Sequence, residues 1–239
     1  MVVPYKDAPE GKKKQVARMF DSISGRYDRL NHILSLGIDK MWRKKAIRQL
    51  SLNNPVSILD IATGTADFAI EAVNISGAEV TGIDISDGML EAGRKKIVRL
   101  KLENRIRLLN GDSENIPFGD NSFDAAIVAF GVRNFENLDR GLSEILRVIK
   151  PGGKFIVLEI SEPHAFPWKN IFRIYFHHLL PFAGRLISRD KHAYSYLPES
   201  VAAFPSGNDF IKRLNDAGFR HSTWKPLTLG ICALYTAEK

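Results

Sequence analysis

Two carboxylates and one glycine stand at chemically useful spacings in this chain of 239 residues. Gly64 lies in ILDIATGTADF, where an apolar run meets a turn of small residues and an apolar-periodic segment follows. Asp84 closes VTGIDIS twenty residues later, and Asp112 follows a third apolar run in LLNGDSENIPF. A carboxylate at Asp84 can accept both hydroxyls of a ribose, a spacing shared by nucleotide folds in general. An N-cap for the next helix is the plainer use of the same residue. Asp112 is placed to accept from the amino group of an adenine, with the Ser113 backbone beside it, and a simple turn aspartate after Gly111 explains it equally well. The order carries more than any one residue: turn glycine, ribose carboxylate and adenine carboxylate fall at the ends of three successive strands.

The loop itself discriminates among ligands. A phosphate-binding P-loop needs a lysine followed by Ser or Thr after its second glycine, and neither is present. A dinucleotide loop needs glycines that let the backbone approach a pyrophosphate. Here the small positions are Ala62, Gly64 and Ala66, and Asp67 follows them. Two methyl groups and a negative charge oppose a pyrophosphate, so the loop suits a ligand with a positive centre.

These residues need a scaffold, and the hydrophobic pattern supplies one. From Pro55 onward, strand candidates at Val56 to Ile61, Glu79 to Ile83, Ile106 to Leu109, Phe123 to Phe130 and Lys154 to Ile160 alternate with helical periodicity at Asp67 to Val73, Asp87 to Leu102 and Leu138 to Ile149. Such alternation implies a parallel sheet covered on both faces, with the ligand crevice at the carboxyl ends of the strands. Pro151-Gly152 sets a tight turn, and Gly153 lets the chain re-enter the sheet without a Cβ clash. Residues 12–50 read as a helical preface, with Gly37 closing one helix and Asp39 as N-cap of the next. After Ser161 the rhythm breaks into the aromatic, basic stretch FPWKNIFRIYFHHLLPFAGRLI, an insertion. A helix near Gly207 to Ala217 and two strands, Arg220 to Pro226 and Gly230 to Thr236, finish the chain as an antiparallel pair.

Composition bounds the rest. A single cysteine, Cys232, excludes a disulfide framework and a cysteine-based zinc site, and points to a reducing, cytoplasmic compartment. The start MVVPYKDAPEGKKKQ lacks the order of a signal peptide, and no apolar run is long enough to span a bilayer, so a soluble protein is expected. The net charge of +7 is spread along the chain, densest at Lys12 to Lys14 and Arg43 to Lys45. Without a nucleic-acid-binding motif it reads as solvated helix faces, with an anionic lipid surface as the alternative.

Taken together, LDIATGTAD, TGIDIS, GDSENIPF, FDAAIVAF and IKPGG resemble the class I S-adenosylmethionine-dependent methyltransferases. FGVRNFENLDRGLSEILRVIKPGG, MFDSISGRYDRLNHILSLGIDKMWRKKAI and LPFAGRLISRDKHAYSYLPESVAAFPS narrow this to the ubiquinone/menaquinone biosynthesis C-methyltransferases, a resemblance running from about Val16 to Tyr235. It implies a Rossmann-like, doubly wound, mostly parallel α/β sheet with its last strand antiparallel. A single domain, 1–239, would comprise a helical lid (12–50), a cofactor-binding core (55–160), a helical insertion (161–204) and a terminal helix with a strand pair (205–239). It further implies methyl transfer from S-adenosylmethionine to a ring carbon of a polyprenylated quinol, naphthoquinol in preference to benzoquinol. Metal and nucleic acid have no part in that reaction, and peripheral contact with the inner face of a membrane suits such a substrate.

By family pattern the cofactor contacts map to Gly64, Thr65, Asp84, Asp112, Ser113 and Ala129. Thr65 is expected at the methionine end, and Ala129 stands where relatives can carry serine before FG, so a hydroxyl contact is lost there unless the contact is backbone. A ring carbon is a poor nucleophile until a neighbouring hydroxyl ionises, so a site must stabilise a quinolate oxygen. Arg133, always protonated, is expected to hydrogen-bond that oxygen with Asn134 orienting it; a structural ion pair is the alternative. Tyr27 is a lid residue that closes over the ligands, or else a packing tyrosine. His177, His178 and His192 are candidate proton acceptors, and Tyr194 and Tyr196 resemble substrate-pocket positions. The apolar stretch Phe166 to Ile187 would cover an isoprenoid tail or rest at a lipid interface.

Overall fold

The computed structural model describes residues 2–51, 54–163, 165–176 and 192–239. Among these, the apolar runs pair into one seven-stranded sheet: β1 (Ser57–Ile61), β2 (Glu79–Asp84), β3 (Ile106–Asn110), β4 (Phe123–Ala129), β5 (Ile149–Ile160), β6 (Arg220–Leu227) and β7 (Cys232–Glu238). The order is β3-β2-β1-β4-β5-β7-β6. The first five strands pair in parallel, and β7 runs antiparallel between β5 and β6. Strand order reverses between β1 and β4, the point where a crevice opens above their carboxyl ends. Strand β5 starts at Ile149, earlier than the pattern suggests. Its KPGG segment bulges out, and the register jumps from Phe123↔Ile149 to Ala125↔Lys154. A Cβ on Gly153 would lie 2.6 Å from the Asp124 carbonyl oxygen, so only glycine lets the strand rejoin its partner there.

Strands buried on both faces require apolar helices on both sides. On one side, α3 (Ile38–Ser51), α4 (Asp67–Ser76) and α5 (Asp87–Leu100) pack Ala46, Ile47, Leu50, Ala69 and Leu90 against Ile58, Ile127 and Ile156. On the other, α6 (Leu138–Val148) and α9 (Asn208–Asp216) pack Leu142, Ile145, Phe210 and Leu214 against Leu59, Val128 and Val157. Helix α3 therefore belongs to the sheet's covering layer and not to the lid; Ala46, Ile47 and Leu50 are fully buried. Asp39 sits inside its first turn instead of capping it, accepting from the Ser35 hydroxyl at 2.7 Å and from Arg43.

Over the carboxyl ends lie α1 (Lys12–Ile23) and α2 (Tyr27–Leu34), joined by the single 3-10 turn Ser24–Arg26. They share a third apolar cluster, formed by Val16, Met19, Phe172, Phe176, Tyr196 and Val201, with α7 (Trp168–Ile174) and α8 (His192–Ala203). Of the expected run Phe166 to Ile187, the part beyond Phe176 lies outside the described residues. So do His177, His178 and the side chains of His192 and Tyr194.

Candidate active site

The turn after β1 is built on alternating left-handed residues: Ala62 at φ 52°, Gly64 at 56° and Ala66 at 67°. For the two alanines this conformation costs about 1 kcal/mol each. Local bonds hold it. The Thr63 N–H donates to the Ile83 carbonyl at 3.0 Å, the Ala66 N–H to the Thr63 carbonyl at 2.9 Å, and the Thr63 hydroxyl to Asp60 Oδ2 at 2.5 Å. Asp60 is 1 % exposed, its Oδ1 has no hydrogen-bond partner, and burial pushes its carboxyl up to about 7. Gly131, after β4, reaches the same turn: a Cβ there would stand 2.6 Å from the Ala62 methyl.

Asp84 ends β2 with its carboxylate clamped by backbone. Oδ2 accepts from Gly64 N–H at 2.8 Å and Oδ1 from Ser86 N–H at 2.9 Å. Capping of α5 falls instead to Ser86, whose hydroxyl accepts from Met89 N–H at 3.2 Å. Burial pushes Asp84 up to about 6. The remaining acceptor capacity of its carboxylate faces the cleft, because Asp84 lines it.

Asp112 ends the next strand's loop, and here the lid intervenes. Its Oδ1 accepts from Glu114 N–H at 2.9 Å and its Oδ2 from Lys13 Nζ at 2.6 Å. Lys13 also reaches Glu114 at 3.3 Å, while Lys12, 8 % exposed, donates to the carbonyls of Phe135 at 2.8 Å and Arg133 at 3.2 Å. Two lysines expected on a solvated face thus pin α1 across the cleft; the charge run was read without the acceptors it meets in space. Asp21, farther along α1, accepts from the Ser86 hydroxyl at 2.6 Å and from Gly88 N–H at 2.9 Å.

The 3-10 turn Val132–Asn134 follows β4 and carries Arg133. The guanidinium is buried: Nη1 donates to Glu159 Oε1 at 2.7 Å and to the Phe130 carbonyl, and Nε donates to Ser200 at 3.3 Å. The side chains of this pair are 7 % and 0 % exposed. Nη2 makes no hydrogen bond to another described residue. Next to it, Asn134 Oδ1 accepts from the Tyr196 hydroxyl at 3.1 Å. Burial pushes Tyr196 up to about 12 and raises Tyr27, while the charge of Arg133 works in the opposite direction on both phenols. Glu159 is the member that sequence reasoning missed. Its signal was an acidic residue inside the apolar run KFIVLEI.

The cleft beneath the lid is narrow and open at its mouth, with about 70 Å³ accessible to water while the lid lies across it. It brings together Tyr27, Gly64, Asp84, Asp112, Ser113, Ala129 and Asn134, with Phe20, Met89 and Phe130 as apolar walls. Arg133 stands behind this wall. Thr65 does not line the cleft either: it is 3 % exposed, hydrogen-bonded to Asp28 and 3.2 Å from Lys96 Nζ. Asp67 is a correction. Its carboxylate faces α5 and α3, 2.6 Å from Lys96 and 3.8 Å from Arg43, and its charge is spent there. The loop's preference for a cationic ligand cannot rest on it.

A doubly wound sheet whose β1, β2, β3 and β4 loops converge on one cleft, with an antiparallel β7, is the architecture of class I methyltransferases. A solved S-adenosylmethionine-dependent methyltransferase of Thermotoga maritima shares it at TM-score 0.65 and 18 % identity, over 93 % of this chain and 99 % of that one. The ubiE/COQ5 methyltransferase family model matches residues 8–239, and the chain belongs to that family. It is 47 % identical to a demethylmenaquinone methyltransferase of Bacteroides fragilis, over 100 % of this chain and 97 % of the relative. With a ubiquinone/menaquinone biosynthesis C-methyltransferase of Geotalea daltonii it shares 42 % identity, over 95 % and 97 % of the two chains. Among the described residues, no helix is long and apolar enough to cross a membrane.

Proposed function

We propose that this chain methylates a ring carbon of a polyprenylated quinol with S-adenosylmethionine as donor, converting demethylmenaquinol to menaquinol. The end-to-end 47 % identity with the Bacteroides fragilis enzyme carries the reading. The groups lining the cleft support this reading: a backbone-clamped carboxylate for the ribose hydroxyls at Asp84, a second carboxylate at Asp112 for the adenine amino group, and backbone at Gly64, Ser113 and Ala129 around them, with the lid lifting to admit the nucleoside. When bound, the donor supplies an electrophilic methyl on a positively charged sulfur. The protein's share is alignment of that methyl with the ring carbon and stabilisation of the ionised quinol oxygen. Arg133 provides the charge from behind the cleft wall, and the two donors of its Nη2 meet the oxygen once the ring displaces that wall. Asn134, steered by Tyr196, orients the ring, and Tyr27 closes the cleft from the lid. Thr65 acts indirectly, tying the β1 turn to α2 through Asp28.

The test is a paired one. Cells lacking the protein should accumulate demethylmenaquinone by mass spectrometry, and the purified protein should methylate demethylmenaquinol. Accumulation of a demethylated benzoquinone precursor instead would move the assignment to the benzoquinol step. An unchanged quinone pool would end the reading.

A further inference from the structure

Exposed apolar side chains are concentrated on one edge of the molecule. Of the ten large hydrophobic residues most exposed among the described residues, seven lie in three segments: the α2–α3 turn and start of α3, the β6–β7 turn, and α7 with its approach. Leu36 is 85 % exposed at φ 51°, and Leu229 is 57 % exposed at φ 60°. A leucine at positive φ is strained, and holding it out in water adds nothing to stability. Two such leucines at two turn tips call for something apolar outside the protein.

The three segments adjoin. The Trp42 indole N–H donates to Thr228 Oγ1 at 2.7 Å, joining α3 to the β6–β7 turn. In that turn the Gly230 carbonyl accepts from the Ser161 hydroxyl at 2.7 Å, and the Gly230 backbone packs on Pro163, on the chain leading into α7. Helix α7 buries Phe172 beside Ile231 and turns Trp168, Ile171 and Ile174 outward, at 41 %, 52 % and 58 % exposure. Around the apolar points the charge is positive. Beside the α2–α3 turn an open cleft carries Arg29, Lys40 and Arg99 against Glu71, while its Arg43 and Lys96 are held in ion pairs with Asp39, Asp28 and Asp67. The rim also connects to the active site, since the Trp42 ring lies 6.1 Å from that of Phe130, a wall of the cleft.

We propose that Leu36, Met41, Leu229 and the outer face of α7 form a rim that seats on an anionic bilayer, with Trp168 at headgroup level. Basic flanks draw it to acidic lipid, and the leucine tips enter the acyl boundary. The Trp42–Phe130 contact lies where an isoprenoid tail would pass from bilayer to cleft. This path rests on the quinol reading; the docking itself does not.

Flotation with vesicles decides it: phosphatidylcholine alone, and phosphatidylcholine with phosphatidylglycerol, both free of quinone and methyl donor. The full chain should float with the acidic vesicles, less so as salt rises. The double variant Leu36→Asn/Leu229→Asn should lose more than about tenfold in partition. Asparagine suits positive φ better than leucine, so this variant keeps its melting temperature and its turnover of a short-chain, water-soluble quinol. Lys40→Glu should weaken flotation on acidic vesicles only. Equal flotation of the double variant and the parent, or no flotation of the parent, overturns the proposal. A parent that is dimeric in sedimentation and floats with neither vesicle, beside a monomeric variant, assigns the rim to contact between copies and overturns it as well. Flotation without any quinol methylation leaves the rim standing and removes only the proposed substrate.

Discussion

Replacing Glu159 with glutamine should cost the protein far more than the loss of one hydrogen bond. The substituted amide keeps the shape and an acceptor for Arg133, but the guanidinium, 7 % exposed, then carries its charge with only the Phe130 carbonyl and Ser200 as other partners. Removing one member of a buried pair typically costs about 3 to 5 kcal/mol. In a domain of this size 1 kcal/mol moves Tm by about 2–4 °C, so a fall of roughly 6 °C or more is expected. Arg133→Met should cost a similar amount by stranding Glu159, which is fully buried. The pair Arg133→Met/Glu159→Leu, by contrast, should recover most of that stability while remaining without turnover, because apolar groups of similar volume can replace a buried ion pair. Urea denaturation of the parent, Arg133→Met, Glu159→Leu and the double variant closes the cycle and yields the coupling energy. Two results would refute the reasoning: single variants within about 1 kcal/mol of the parent, or a double variant less stable than the sum of the singles. An active double variant would remove Arg133 from the chemistry altogether.

Asp60 should make stability fall as pH rises. Its folded carboxyl is pushed up to about 7 by burial, whereas an unfolded one titrates near 4, so between these values the folded chain holds a proton that the unfolded chain has released. The loss across that window is about 4 kcal/mol, and Asp60→Asn should flatten the stability–pH curve measured by denaturant melts. Adenosylhomocysteine affinity, by calorimetry, should weaken as pH drops through about 6, where Asp84 gains its proton, and Asp84→Asn should abolish that dependence. Gly131→Ala should destabilise by about 1–3 kcal/mol through its collision with the Ala62 methyl. Adding Ala62→Gly should restore the loss in thermal melts; additive effects would show that the two positions do not meet.

The sheet was legible because parallel strands buried on both faces leave uninterrupted apolar runs, and IVAF and KFIVLEI cannot be anything exposed. The crevice followed from strand order, and Asp84 and Asp112 were visible at its lip as polar residues ending those runs. What stayed hidden depends on pairings distant in sequence. Lys12 and Lys13 look like any solvated basic run until the carbonyls of Arg133 and Phe135 and the carboxylate of Asp112 arrive beside them. Thr65 and Asp67 were placed differently for a related cause: α4 begins at Asp67, three residues past Gly64, and both side chains meet Lys96 of α5, with Asp28 of α2 on Thr65, away from the cleft. Helix α3 looked like lid because its amphipathic pattern does not say which surface it covers.

The lid touches the loop after each of the first four strands: Asp28 meets Thr65 after β1, Asp21 meets Ser86 after β2, Lys13 meets Asp112 after β3, and Lys12 meets the Arg133 carbonyl after β4. For the lid to lift, all four anchors must release, and exchange of whatever occupies the cleft waits for that. Ligand association should therefore saturate: its observed rate rises with concentration only until it equals the opening rate, then stays level. Salt, which loosens the Lys13–Asp112 ion pair, should raise that plateau.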